Sequence, residues 1–165
     1  MSMKTIYIAL ALMMFPLVSS GQFLNDYQWK SRLVLLFTPE PTDPLYERQM
    51  ALLYRQQEAF EERNVVFISI TPEGKHENSG VFLDEAMSRK YYDHFGVYQY
   101  QFEMILVGLD SHEKFRAKNT ITPPSILLNL IDEMPMRRLE IRRGLSNKSQ
   151  IANDDKGKGG GRRQY

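Results

Sequence analysis

The chain of 165 residues has no cysteine, one tryptophan and three histidines. Without a thiol it can form no disulfide, present no thiolate nucleophile and supply no sulfur ligand to zinc or to an iron–sulfur cluster. The absence of disulfides does not place it inside the cell, because an exported domain with a sufficient core can do without them. The histidines His76, His94 and His112 lack the i, i+4 or His-x-Glu spacing of zinc sites. No metal and no cofactor is therefore expected. Adjacent acids such as Glu61 with Glu62, or Asp84 with Glu85, point in different directions on a helix and cannot share one substrate proton.

Long apolar runs are scarce as well. The longest, IYIALALMMFPLV from Ile6 to Val18, is 13 residues, against the ~20 that a bilayer-spanning helix requires. Lys4 precedes it and Ser19, Ser20 and Gly21 follow it, which is the layout of a secretory signal peptide over residues 1–21 with cleavage near Gly21. The expectation is a secreted or periplasmic protein with no membrane span after cleavage.

The rest is sized for a single domain. The expected boundaries are 22–145 for a folded body and 146–165 for a flexible tail, because NDDKGKGGGRRQY holds too little apolar surface to bury. Charge divides close to the same point. Residues 22–141 carry 13 Lys and Arg against 18 Asp and Glu, whereas residues 142–165 carry 7 against 2. The body is acidic and the tail basic.

Within the body, RLVLLFT (32–38) and VVFISIT (65–71) are apolar runs of the length and continuity of strands buried on both faces. Between them PEPTDP leads into a helix, Asp43 serving as cap and Pro44 as first helical residue. The apolar spacing of Tyr46, Met50, Leu53 and Phe60 predicts one continuous helix over 45–63. Strand, helix and strand make a right-handed βαβ unit with parallel strands. A second helix is expected over 83–95, closed by Gly96, then a strand over 102–108 and a hairpin to a short strand around 114–117. Thr122 is read as the cap of a last helix with Ile126, Leu127, Leu130, Ile131 and Met134 facing inward, stopped by Pro135. A parallel pair followed by an antiparallel pair, with helices between, is the thioredoxin-like order. The expected fold is an α/β three-layer sandwich, a mixed four-stranded sheet with helices on both faces.

Several strings also carry a resemblance: RLVLLFTPEPTDPLYERQ, FEERNVVFISI, FGV at 95–97, MILVGLDSHEKFR and LIDEMPMRRLE. Over residues 29–140 the chain resembles the peroxiredoxin-like domain of unknown function 4174 family, and IDEMPMRR is the most specific of its marks. The resemblance implies a thioredoxin-like fold without redox cysteines, in exported bacterial proteins and, as related domains, in secreted sushi-repeat matrix proteins. It implies no established activity. Where the family tends to glycine at the hairpin turn, this chain has Ser111 and His112.

Two places remain as candidate sites. The first is the PEPTDP loop with Thr38 and Asp43, where a thioredoxin-like fold carries its chemistry at a helix N-terminus, joined to Arg116, which has the geometry to grip a carboxylate or phosphate. Its plainer reading is a helix cap and a salt bridge. The second is Arg137, Arg138, Arg142 and Arg143, a patch suited to polyanions or to solubilising a helix end. The reading that follows is an exported non-redox binding or scaffold domain rather than an enzyme, its partner an extracellular or envelope polyanion or protein and not nucleic acid. The alternative is a cysteine-independent enzyme built on Thr38, Asp43 and Arg116.

Overall fold

The computed structural model describes residues 23–74 and 83–144. The expected signal peptide and the expected tail lie outside the described residues. In chain order the elements are α1 (Leu24–Tyr27), β1 (Arg32–Phe37), α2 (Pro44–Tyr54), α3 (Gln57–Glu61), β2 (Val65–Ile70), α4 (Glu85–Phe95), β3 (Glu103–Val107), β4 (Glu113–Lys118) and α5 (Pro124–Glu133). Residues 135–144 form a further helix, α6.

The four strands make one sheet in the order β2-β1-β3-β4. β1 pairs parallel with β2 and antiparallel with β3, and β3 pairs antiparallel with β4. Because successive strand residues point to opposite faces, β1 divides its side chains between two cores. Val34 and Leu36 join Tyr46, Met50, Leu53, Phe60, Leu127 and Ile131 beneath α2, α3 and α5. Leu33, Leu35 and Phe37 join Leu24, Tyr91, Tyr92 and Phe95 beneath α1 and α4. The sheet thus has helices on both faces, as its doubly apolar strands require.

Four local expectations are corrected. The helix expected over 45–63 is two helices, α2 and α3, interrupted at Arg55 and Gln56, because Gln56 leaves the helical region (φ −117°, ψ 22°). Leu83 is buried but precedes α4, which Asp84 caps by accepting from the Met87 N–H at 2.7 Å. Thr122 does not cap α5; Pro123 holds that position, and Thr122 exchanges both backbone groups with the buried side chain of Gln49, at 2.8 and 2.9 Å. Ile126, expected inward, is exposed, while Leu127 and Ile131 form the buried stripe. Pro135 does end α5, but it also begins α6, where its missing N–H costs nothing.

Candidate functional site

The turn after β1 is held by its own residues. Thr38 is wholly buried, and its hydroxyl donates to the Glu40 carbonyl at 2.7 Å. Asp43 Oδ1 accepts from the N–H groups of Leu45 and Tyr46 at 2.9 and 3.0 Å, which are the donors a helix N-terminus leaves open. The anion already at this helix start belongs to the chain itself. Tyr92 closes the end of the β1–β2 pair, its hydroxyl donating to the carbonyls of Ile70 at 3.2 Å and Thr38 at 3.4 Å. Burial pushes the Tyr92 phenol well above its ordinary range, so it remains a neutral donor.

Arg116, on β4, is likewise committed. Its guanidinium donates to Glu113 at 2.9 and 2.6 Å, to Glu103 Oε2 at 2.8 Å and to the Phe95 carbonyl at 3.0 Å. Those bonds, the Glu113 pair foremost, hold the Arg116 guanidinium above its already high range and draw the Glu113 carboxyl below the ordinary carboxylate range. Glu103 opens β3 and is wholly buried, and its Oε1, the oxygen that Arg116 leaves open, is approached by Lys118 at 3.3 Å and accepts from the Gln101 side-chain amide. No hydrogen bond joins Thr38, Asp43 and Arg116 to one another. Each is engaged elsewhere, which leaves no convergent set of free groups for acid–base or nucleophilic work.

Sequence reasoning passed over Glu103 although a signal existed. A carboxylate at the head of an apolar strand needs a cation opposite, and Lys118 is its register partner across β3 and β4, with Arg116 two residues away on the same face.

A larger polar construction lies at the other end of β1. Arg32 is wholly buried, and its two terminal nitrogens donate to the Arg63 carbonyl at 2.7 Å and to Glu140 at 2.9 and 3.4 Å. Arg63 in turn grips Asp132 with two bonds of 2.9 and 2.7 Å. That pairing draws the Asp132 carboxyl below its ordinary range. Arg137 spans the gap, 3.3 Å from Glu140 and 3.5 Å from Asp132, and donates to the Glu62 carbonyl at 3.0 Å. Asp132, Arg137 and Glu140 all lie within the string IDEMPMRRLE, so its distinctive polar residues are the clamp that fastens α5 and α6 to the start of the sheet.

This clamp divides the arginine patch. Arg137 faces inward and is spent in the network, whereas Arg138, Arg142 and Arg143 are exposed on α6. Among the described residues no carboxylate lies within ion-pair distance of those three.

The family described as Domain of unknown function (DUF4174) matches residues 23–140, which takes in every strand, the clamp and the PEPTDP turn. The chain belongs to the DUF4174 family. Its fold is that of peroxiredoxins. The reduced 2-Cys peroxiredoxin of Plasmodium vivax superposes with a TM-score of 0.52 at 15% identity, covering 66% of this chain and 68% of that one. A cysteine-to-serine mutant of peroxiredoxin 6 from Arenicola marina gives 0.51 at 14% identity, with 67% and 64% covered. Mycobacterium bovis AhpC gives 0.50 at 13%, with 66% and 74% covered. At such identities the likeness speaks to architecture alone. This DUF4174 domain has the peroxiredoxin-like scaffold and no cysteine, which argues against thiol peroxidase chemistry in it.

Proposed function

We propose that this DUF4174 domain is an exported, non-redox binding domain, secreted or periplasmic, that engages a polyanion through Arg138, Arg142 and Arg143. The observation that carries the reading is a contrast in how its charges are used. Arg32, Arg63, Arg116 and Arg137 are matched to carboxylates of the same chain, while the three outer arginines of α6 are exposed without one among the described residues and, unlike the equally unmatched Arg48 and Arg55, are grouped within residues 138–143. Unmatched surface cations attract polyanions and set the salt dependence of their binding. The sequence after residue 144 adds five Lys and Arg against two Asp. Export rests on the N-terminal run described above, and the filled turn at Thr38 and Asp43 favours binding over catalysis.

The test is chromatography on immobilised heparin with a salt gradient. Retention that falls when Arg138, Arg142 and Arg143 are changed to Glu together, with the fold intact by circular dichroism, supports the reading. Passage through the column at low salt by the parent protein would refute it. Measurable thiol-dependent peroxide turnover by the pure protein would refute the non-redox part, and a mature N-terminus that still includes residues 1–21 would refute export with cleavage.

A further inference from the structure

Trp29, the only tryptophan in the chain, is 63% exposed on the short loop between α1 and β1. Its backbone is left-handed (φ 62°), a conformation a bulky residue adopts only when the surroundings impose it. The imposing contact is visible: the Trp29 N–H donates to the Leu109 carbonyl at 2.8 Å. The structure therefore holds a large aromatic ring toward solvent at a conformational cost. Beside it is an open, largely apolar groove of about 380 Å³, lined by Trp29, Leu109, Met134, Pro135 and Met136, with Lys114 and Asp110 also on its wall and paired to each other at 2.6 Å.

Met136 continues this apolar surface onto α6. Positions 136, 139 and 143 follow one another at i, i+3 and i+7 and share a helical face. They are Met136, 42% exposed, Leu139, 37% exposed, and Arg143, with Arg138 and Arg142 flanking Leu139. The adjoining face is pinned by Arg137 and Glu140 in the clamp, Glu140 being the i+4 neighbour of Met136. The outward face thus combines an interfacial aromatic, two exposed apolar side chains and three unmatched arginines.

A hydrated polysaccharide uses the cations of such a face but gains nothing from the apolar members. A phospholipid surface uses both, since indole rings settle at the headgroup level, arginine stems lie along apolar surface with their charged ends at phosphate, and a cationic amphipathic helix lies in the interface plane. We propose that Trp29, Met136 and Leu139, ringed by Arg138, Arg142 and Arg143, form a docking face for an anionic phospholipid surface. No helix among the described residues is long and apolar enough to cross a membrane, so the contact is peripheral. This deepens the polyanion reading and rests on it, because the same arginines supply the charge.

Trp29 is its own reporter. The full chain is mixed with vesicles of phosphatidylcholine alone, or of phosphatidylcholine with phosphatidylglycerol, and followed by tryptophan emission and co-sedimentation. The expected result is a blue shift and pelleting with the anionic vesicles only. The pair Met136→Ser and Leu139→Ser, both at exposed positions, abolishes the shift, and changing the three arginines to Glu weakens sedimentation by about a hundredfold. Retention on heparin with no change in Trp29 emission on anionic vesicles overturns the lipid proposal and leaves the polyanion reading standing. Equal binding to both vesicle types, or binding that ignores Met136→Ser with Leu139→Ser, overturns it as well. Failure to bind heparin and vesicles alike removes both readings.

Discussion

Arg32 and Glu140, 108 residues apart in sequence, meet at 2.9 Å, one wholly buried and the other partly exposed. A buried guanidinium is tolerated only while its counter-charge is present. Glu140→Gln is therefore expected to destabilise the domain by about 3 kcal/mol. Urea unfolding followed by circular dichroism measures it, with Glu133→Gln, on the exposed side of α5, as the near-neutral control. Equal midpoints for the two variants would mean that Arg32 does not depend on Glu140.

Acid should loosen both the clamp at Asp132 and the separate Arg116 pairing on β4. The hydrogen bonds from Arg63 depress the Asp132 carboxyl and those from Arg116 depress the Glu113 carboxyl relative to their unfolded values. A depressed carboxylate contributes its stability above the unfolded pKa and loses it as the pH falls through the folded one. The melting temperature is expected to hold above about pH 5 and to fall progressively below it. Asp132→Asn should flatten that fall, and a melting curve series across acid pH checks it.

Asp43 is expected to matter for stability and not for binding. Asp43→Ala removes the acceptor for two N–H groups at the start of α2 and should cost about 1 kcal/mol, with Asp43→Asn close to neutral. Denaturant midpoints test the first part. Unchanged retention of both variants on heparin tests the second.

The hairpin offers an opposite sign. Ser111 has φ 62°, the left-handed conformation that glycine takes without strain, and its N–H donates to the Gly108 carbonyl at 3.0 Å. Ser111→Gly is expected to stabilise the domain by about 0.5 kcal/mol, the strain relieved exceeding the added freedom of the unfolded chain. A lowered melting temperature would show that the serine hydroxyl, 3.5 Å from the Leu24 carbonyl, contributes more than its backbone costs.

The parts of the fold legible in the sequence were those set by neighbours along the chain. Buried strands show as unbroken apolar runs, so β1, β2 and β3 were evident, and Asp43 followed by Pro44 announced both a cap and a helix start. The interruption at Arg55 and Gln56 was hidden because apolar spacing carries across it from Leu53 to Phe60. Ile126 was misplaced because α5 is apolar on more sides than the sheet can cover. The clamp was not legible at all. Arg32 reads as the polar edge of an apolar strand, and nothing in the order of residues selects Glu140 from among the other carboxylates. At the candidate site, the resting place of Asp43 could be read locally, while the commitment of Arg116 to Glu103 required the register of β3 against β4.

The clamp also gives the chain a direction in time. β1 lies inside the sheet, yet its first residue cannot be buried at low cost until residue 140, near the end of the matched domain, is in place. Strands assembled without Glu140 would keep an uncompensated arginine at their root, so closure is expected to be a late, long-range event. Replacing Glu140 alone, a residue of α6, would leave the innermost strand without its lock.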